Sequence, residues 1–424
     1  MKKIVILACV LFFGSGIAWA QDWPMMQRDA THSGYSAEGF SAPLKENWRA
    51  LSGSPDNSFT TWPVVRNGVV YVSSGPGIIA VDALTGKRKW DVQPSEGQTI
   101  VSPAVDDVAV YMPVPFGRLL ALAVADGKEL WRFQAADSLD ASPTLADGRI
   151  YIGSEEAKTF YAINAADGSE AWNAKLDFEP DSVAAVSQGI VVFTMEDLNS
   201  RNTTYVVALD AGDGHEIWRI QQQVANSSPS ILGDMVILGG GDLNVYALDL
   251  KTGKEVWKTS VPGKFNTQNF PAIAFGDVFM ADRIGNIYRL DGTTGKRKWL
   301  FDDAEVGFVQ SFPVIAGKTL FIGNGAGWLY ALDTDDGRLL WKHQVGGFVL
   351  SGAADEKHFY FGVKFGKEGL YAYGHDPKGK LAPPPVAEPN IVTTMVRALL
   401  VFLLIFGAAV VFSKRKRKAS NLEA

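Results

Sequence analysis

The chain of 424 residues has little of the chemistry that many sites require: one cysteine, Cys9, and five scattered histidines. Cys9 lies in an N-terminal stretch that we expect to be removed, so the mature protein would contain no cysteine. This excludes disulfides, thiolate metal sites, a cysteine nucleophile and CxxCH haem attachment. The histidines show no spacing typical of metal ligands, so we predict no metal site.

The chain also lacks a positively charged body. Its net charge is −6, and because residues 1–20 carry +2 and residues 391–424 carry +5, residues 21–390 carry −13. A body this acidic repels a phosphate backbone, so we expect no nucleic-acid partner. Aromatic residues make up 11% of the chain, which argues against a disordered protein.

Both ends have the pattern of targeting segments. Lys2 and Lys3 precede an apolar run that ends in Ala18-Trp19-Ala20, which predicts a cleaved signal peptide at residues 1–20. An uncleaved N-terminal anchor is the alternative. Residues 391–412 form an apolar stretch about 33 Å long as a helix at ~1.5 Å per residue, and basic residues 414–418 follow it. This pattern predicts one transmembrane helix with a cytoplasmic tail.

Between the ends, one sequence motif recurs: a Thr-Gly or Asp-Gly pair, a few polar residues and a tryptophan. The tryptophans of this motif are Trp90, Trp131, Trp172, Trp218, Trp257, Trp299 and Trp341. Their spacing of about 41 residues is typical of propellers and solenoids. Runs such as Tyr246-Ala247-Leu248-Asp249 predict strands, and the Asp and Gly residues that follow predict hairpin turns. Four strands per period correspond to a propeller blade.

A partial eighth repeat follows Trp341 and has no tryptophan, whereas the unpaired Trp48 lies 42 residues before Trp90. We predict that the strand of Trp48 completes the last blade, because an open ring would leave a blade edge unpaired. The predicted fold is therefore all-β: an eight-bladed β-propeller of four-stranded antiparallel blades, with an N-terminal signal peptide and one C-terminal transmembrane helix. We interpret the eight tryptophans, Trp48 included, as structural residues between blades; a ligand-stacking role is the alternative.

The predicted organisation has six parts. They are a signal peptide (1–20), an N-terminal extension (21–44), the propeller (45–380), a Pro-rich linker (381–390), the transmembrane helix (391–412) and a basic cytoplasmic tail (413–424). This order predicts a single-pass protein of a bacterial cytoplasmic membrane, with the propeller in the periplasm or outside the cell. A cleaved C-terminal sorting signal is an alternative, because Glu388-Pro389 matches a fragment of such a motif.

The repeat resembles the tryptophan-docking repeat of the pyrroloquinoline-quinone-type β-propellers. The motif Ala-x-Asp-x-x-(Thr/Asp)-Gly-Lys-x-x-Trp is best matched from Ala247 to Trp257, and the resemblance covers about residues 45–380. Part of this family are quinoprotein dehydrogenases, for which the resemblance implies the quinone, calcium and an Asp base. The BamB-like branch is non-enzymatic, and the size of the chain, its eight predicted blades and its export signal agree with that branch.

The chain departs from both branches. The dehydrogenases are typically longer, and many have a vicinal disulfide that a cysteine-free chain cannot form. The pairs Asp302-Asp303 and Asp335-Asp336 fall in predicted turns rather than in a calcium site. We therefore expect no cofactor, and pyrroloquinoline quinone with calcium is the disfavoured alternative. BamB-like proteins hang from a lipidated cysteine, which this chain lacks.

Polar residues at the predicted channel mouth are candidates for a binding site. A proline recurs where each innermost strand begins, and three positions before it the chain has Thr60, Ile100, Asp140, Asn226, Gln268 and Gln310. We predict that the five polar residues of this set contact one ligand or peptide; residues that only solvate the channel are the alternative. A longer spacing between Trp172 and Trp218 adds a polar loop, where Glu196, Asp197 and Arg201 are candidate partner contacts.

The sequence therefore predicts a membrane-tethered, extracytoplasmic propeller that acts as a non-catalytic, protein-binding scaffold in the cell envelope. No catalytic residues and no enzyme activity are predicted. The expected partners are other envelope proteins, together with the membrane through the C-terminal helix. A quinone-dependent dehydrogenase of the same fold is the alternative function.

Overall fold

A computed structural model describes residues 22–51, 61–74, 77–93, 101–180, 182–197, 203–223, 227–261, 270–302, 308–309 and 311–382. The predicted signal peptide, transmembrane helix and basic tail lie outside these residues. Within the described ranges, no helix has the length and apolar character needed to cross a bilayer.

The regular elements of the described residues are β-strands, numbered here in chain order. The first two are β1 (Tyr35–Ser36) and β2 (Leu44–Ala50). The next twelve are β3 (Val64–Arg66), β4 (Val69–Ser74), β5 (Gly77–Asp82), β6 (Arg88–Val92), β7 (Ala104–Val105), β8 (Ala109–Val114), β9 (Arg118–Ala123), β10 (Glu129–Gln134), β11 (Thr144–Ala146), β12 (Arg149–Ser154), β13 (Thr159–Asn164) and β14 (Glu170–Lys175).

The remaining strands continue in the same way. They are β15 (Glu179–Pro180), β16 (Ala185–Ser187), β17 (Ile190–Asp197), β18 (Thr203–Asp210), β19 (Glu216–Gln221), β20 (Ser230–Leu232), β21 (Met235–Gly239), β22 (Asn244–Asp249), β23 (Glu255–Ser260), β24 (Ala272–Ala274), β25 (Asp277–Ala281), β26 (Ile287–Asp291), β27 (Arg297–Phe301), β28 (Val314–Ala316), β29 (Thr319–Gly323), β30 (Trp328–Asp333), β31 (Leu339–Gln344), β32 (Phe348–Ala354), β33 (His358–Lys364) and β34 (Gly369–His375).

These strands form eight sheets, which are the blades of a propeller. Blades 1 to 7 are β3–β6, β7–β10, β11–β14, β16–β19, β20–β23, β24–β27 and β28–β31. Blade 8 consists of β32–β34 and β2, which pairs antiparallel with β34 and places Trp48 opposite Ala372. The eight-bladed all-β propeller and its closure by the strand of Trp48 are thus confirmed. Two short strands are additions: β15 pairs with β17, and β1 runs parallel to β28.

The innermost strands form a closed ring around the channel. Each one contacts the innermost strand of the next blade, in the order β3, β7, β11, β16, β20, β24, β28, β32 and back to β3. Since successive strands of a blade are antiparallel, the turns lie on two faces. The face with the first-to-second and third-to-fourth strand turns, such as Asn67-Gly68 and Thr85-Gly86, is called here the Thr-Gly face. The face with the second-to-third strand turns and the connections between blades is called the mouth face.

The repeat tryptophans lie on the outermost strands, where they join each blade to the next. Seven of them donate an indole N–H to a backbone carbonyl of the following blade, as Trp172 Nε1 does to Ala211 O at 3.0 Å. The ring also covers the turn glycine of that blade: a Cβ on Gly214 would lie 2.5 Å from Trp172 Cε3. Gly214 has a φ of 80°, so both the ring and the backbone require glycine there.

Apolar side chains between neighbouring blades form the core. One cluster joins blades 4 and 5 through residues such as Val192, Trp218 and Leu238, and another joins blades 1 and 2. The alternation of buried residues along each strand places one set against the preceding blade and the other against the following blade.

Candidate functional site

The predicted site residues are described only in part. Thr60, Asn226, Gln268 and Gln310 of the predicted channel mouth lie outside the described residues, and so does Arg201 of the predicted partner loop. Asp140, Glu196 and Asp197 are described, and all three lie on the mouth face.

Asp140 lines a cavity of about 330 Å³ between blades 2 and 3. Three carboxylates, those of Asp137, Asp140 and Glu156, share it with apolar side chains that include Leu139 and Phe116. The Ser138 hydroxyl donates to Asp140 Oδ2 at 2.5 Å and fixes that carboxylate. Phe116 is 66% exposed at the rim. The carboxylates and apolar walls suit a cationic group carried on an apolar stem.

Glu196 and Asp197 end the second strand of blade 4. Glu196 lies opposite Glu179 of β15 and opposite Thr204 of β18, and Asp197 lies opposite Thr203. Lys158 of blade 3 pairs with Glu179 at 3.1 Å, so charged residues of blades 3 and 4 meet beside Glu196. The structure thus brings the two described sets of candidate residues to the same face of neighbouring blades.

The channel is filled by side chains at the position directly before each recurring proline. Trp62, Phe270 and Phe312 occupy this position in blades 1, 6 and 7, and they form one cluster with Val183 and Met26. The ring centroids of Trp62 and Phe312 are 4.8 Å apart, and those of Phe270 and Phe312 are 4.5 Å apart. The dipeptides Trp-Pro and Phe-Pro are the sequence signal for this cluster, and the position three residues before each proline does not reveal it.

Serine occupies the corresponding position in blades 2, 3, 5 and 8 and Val183 occupies it in blade 4; each serine hydroxyl accepts a backbone N–H of the preceding blade. Ser102 accepts from Trp62 N–H at 3.1 Å, and Ser228 accepts from Val183 N–H at 3.2 Å. Ser142 and Ser351 accept in the same way from Ser102 and Phe312. These buried hydroxyls satisfy backbone groups of the ring.

The N-terminal segment, defined here as residues 22–36, runs around the inside of the ring. Its carbonyl groups accept backbone N–H groups from six blades, always from the same position of the innermost strand. The pairs are Val65 N to Trp23 O (2.8 Å), Val105 N to Pro24 O (2.8 Å), Val186 N to Ala30 O (2.6 Å), Ile231 N to Thr31 O (2.8 Å), Ile273 N to Ser33 O (2.6 Å) and Ile315 N to Gly34 O (2.9 Å). From the sequence, these residues are predicted only as part of an N-terminal extension (21–44).

Side chains of the N-terminal segment are buried in the channel. Trp23 is 1% exposed, and Met26 packs in the cluster with Phe270 and Phe312. His32 is fully buried, and its ring centroid lies 5.9 Å from that of Phe270. His32 Nδ1 lies 2.8 Å from Pro229 O. Burial lowers the pKa of His32 to about 4, partly opposed by the Pro229 hydrogen bond, so the ring is neutral at neutral pH.

The described channel residues do not fit a bound quinone with calcium. Met26, Phe270 and Phe312 are buried in one apolar cluster with Val183, so side chains that offer no ligand to calcium occupy the channel at this level. The buried carboxylate of Asp277 is paired with Arg289 and Lys298, each at 2.6 Å, and Asp282 accepts from Tyr288. These carboxylates are therefore already paired within the protein.

One group of three metal-ligating side chains lies close together in the described part of the chain: Asp210, Asp213 and His215. It lies in the third-to-fourth strand turn of blade 4, on the Thr-Gly face. Asp210 accepts from Gly212 N–H at 2.7 Å, and Asp213 lies 2.6 Å from His215 Nδ1. In other blades, Asp and Thr make the corresponding contacts and order the same turn. The group is therefore a feature of the repeat.

Comparison with known proteins relates the chain to one family. A family model described as the outer membrane protein assembly factor BamB matches residues 45–132, 115–282, 202–351 and 283–373. BamB of Nitrosomonas eutropha is 28% identical over 179 residues, which are 41% of this chain and 42% of that protein. A BamB of Salmonella typhimurium is matched over 55% of its length, so the chain spans about half of the length of these relatives.

An enzyme is also similar in sequence. Quinohemoprotein alcohol dehydrogenase of Comamonas testosteroni is 26% identical over an alignment of 187 residues that covers 38% of this chain and 26% of the enzyme. Its crystal structure has a TM-score of 0.68 at 15% identity and covers 87% of this chain and 83% of that one. The crystal structure of BamB from Moraxella catarrhalis has a TM-score of 0.65 at 13% identity, with coverage of 78% and 100%. These structural likenesses establish the fold alone.

Proposed function

Because the chain belongs to the family of the outer membrane protein assembly factor BamB, we propose that it is a non-catalytic, protein-binding scaffold of the cell envelope. One observation carries the proposal: the described part of the channel is occupied by Met26, Phe270 and Phe312 and lined by the chain's own N-terminal segment. A partner that leaves the N-terminal segment in place therefore binds the surface.

We propose the mouth face as the partner surface. It has the acidic cavity of Asp140 and the charged end of β17 with Glu196 and Asp197, on neighbouring blades. On sequence grounds, Thr60, Asn226, Gln268, Gln310 and Arg201 are proposed members of the same surface. A partner that offers a lysine or arginine beside apolar residues would match the three carboxylates and the exposed Phe116.

The proposed tether is a helix formed by residues 391–412, with residues 414–418 on the cytoplasmic side of the inner membrane. The propeller would then lie in the periplasm, or outside the cell. The N-terminal segment is hydrogen-bonded into the channel from Trp23 onwards. A tether after the propeller is compatible with those hydrogen bonds.

A quinone-dependent dehydrogenase is the second candidate, favoured by the sequence similarity to the Comamonas testosteroni enzyme. The filling of the channel described above argues against it. The tetrathionate hydrolase of Acidithiobacillus ferrooxidans, 27% identical over 208 residues, is another enzyme with related sequence.

Photo-cross-linking in living cells tests the scaffold. A photoreactive amino acid is placed at Phe116 on the mouth face or, as a matched control, at Leu84 in a Thr-Gly face turn; the two side chains are 66% and 65% exposed. We expect discrete adducts with envelope proteins from position 116 and none above background from position 84. Equal adduct patterns from both positions, or none from either, would contradict a partner surface on the mouth face.

A further inference from the structure

We propose that the channel is itself a peptide-binding site, and that the N-terminal segment occupies it in cis. The ligand class is a short peptide that follows the ring through its main-chain carbonyls, with bulky apolar residues in its first part and glycine at one position of its second. This inference rests on the protein-binding function proposed above and specifies a second site, inside the ring.

The main-chain contacts are those of a peptide site. Six innermost strands each turn one N–H toward the channel, and each N–H meets a carbonyl of the same segment at 2.6 to 2.9 Å. Such a pattern holds a peptide without regard to its side chains, as sheet edges do when they bind an added strand. The donors belong to the propeller, so they remain available to another peptide when the segment leaves.

The side chains of the segment show the specificity that the site would have. The first part places Trp23 and Met26 in buried apolar surroundings. One position of the second part requires glycine: a Cβ at Gly34 would lie 2.7 Å from Gln27 Oε1 and 3.1 Å from Ala272 Cβ, and Gly34 has a φ of 58°. A competing peptide therefore needs apolar residues at its start and glycine at the position of Gly34.

The fit of the cis segment is imperfect. Gln27 Nε2 and His32 Nε2 are buried with no hydrogen-bonding partner among the described residues, and so is Trp62 Nε1 of the channel wall. Gln27 and His32 also have positive φ values of 55° and 57°, which are unfavourable for these residue types. Unpaired buried polar groups weaken the bound state. A peptide that offers an acceptor to Trp62 Nε1 would bind more tightly than the cis segment does.

The N-terminal segment can leave the channel while the ring of blades stays closed. Ala37, Glu38 and Gly39 are exposed between the segment and β2. After them, Phe40 stacks on Phe321 with a centroid distance of 5.3 Å, and β2 remains paired with β34. Release of the segment therefore does not require that blade 8 open.

Peptide exchange tests the proposal. A protease recognition sequence is inserted between Ala37 and Glu38 of the purified full chain, the chain is cut, and a fluorescent peptide of residues 22–37 is added. We expect one labelled peptide to enter per cut chain, and excess unlabelled peptide to displace it. Peptides with Trp23→Ala or Gly34→Val should bind at least tenfold more weakly, whereas Ala37→Ser, at an exposed position, should bind unchanged.

The uncut chain provides a second measurement. Its tethered segment competes at high effective concentration, so we expect labelled peptide to bind at least tenfold more weakly than to the cut chain. Three results would overturn the proposal: a cut chain that stays folded but exchanges no peptide, equal binding of a scrambled peptide, or unfolding of the propeller when the segment is released. Adducts from position 116 report the mouth face separately, so failure of exchange does not count against the scaffold.

Discussion

The outer and inner rings of this propeller have the same eightfold geometry but opposite sequence behaviour. On the outermost strands, a tryptophan at the same position of the repeat covers the turn glycine of the next blade. Around the channel, the position before the innermost strand changes from Trp62 to serine, Val183 or phenylalanine. The repeated position therefore stabilises each blade against its neighbour, whereas the varied position determines what the channel can hold.

The largest expected effect tests the outer ring. Trp172→Ala should lower the free energy of unfolding by about 4 kcal/mol, because it removes a buried ring and its hydrogen bond to Ala211. Trp218→Ala should cost a similar amount, since Trp218 Nε1 donates to Leu250 O in the same way. Urea denaturation measures both, with the exposed Leu84→Ala as control. A loss below 1 kcal/mol for both tryptophans would remove the basis for calling the outer ring structural.

The next effect tests the inner ring through pH. Burial keeps His32 neutral in the folded protein down to its pKa of about 4, whereas the unfolded chain takes up that proton below 6.5. The unfolded state therefore binds more protons between these values, and the free energy of unfolding should fall by about 3 kcal/mol as pH drops from 6.5 to 4.

The control for this titration is His32→Gln. Burial also lowers the pKa of His343, and carboxylates titrate near pH 4, so the difference between the wild-type and His32→Gln stability curves isolates His32. Parallel curves over this pH range would mean that His32 is accessible to water, contrary to a filled channel.

A pair of glycines sharpens the comparison on the Thr-Gly face. Gly214 (φ 80°) lies under the Trp172 ring, whereas Gly189 (φ 74°) has nothing within 4 Å of an added Cβ. Gly189→Ala should cost about 1 kcal/mol from the backbone alone. Gly214→Ala should cost about 2 kcal/mol more, because the ring must also move. Equal losses in chemical denaturation would show that the backbone, and not the tryptophan, requires glycine in the repeat.

The smallest effect concerns the serines of the inner ring. Ser228→Ala leaves the buried Val183 N–H without its partner and should cost about 1 kcal/mol. Ser41→Ala, at an exposed position before β2, should change stability by only a few tenths of a kcal/mol. If the two variants unfold at the same urea concentration, the Ser228 hydroxyl does not stabilise the ring.

The fold could be predicted because its determinants are local in the sequence. A turn glycine and a tryptophan a few residues later mark each blade, and the unpaired Trp48 indicates how the ring closes. The N-terminal segment could not be predicted, because it is held by main-chain hydrogen bonds to residues as distant as Ile315, which leave no side-chain pattern. Of the candidate site, Asp140 was found through its position before a proline. Its cavity depends on Phe116 and Glu156, which belong to turns of two different blades.

Titration of the purified full chain with pyrroloquinoline quinone and calcium tests the central claim most directly. The claim is that the chain's own residues fill the channel and that the protein binds partners instead of catalysing a reaction. We predict no saturable heat of binding at millimolar calcium. Saturable binding of the quinone at one site per chain, with micromolar or tighter affinity, would contradict this account and favour a dehydrogenase.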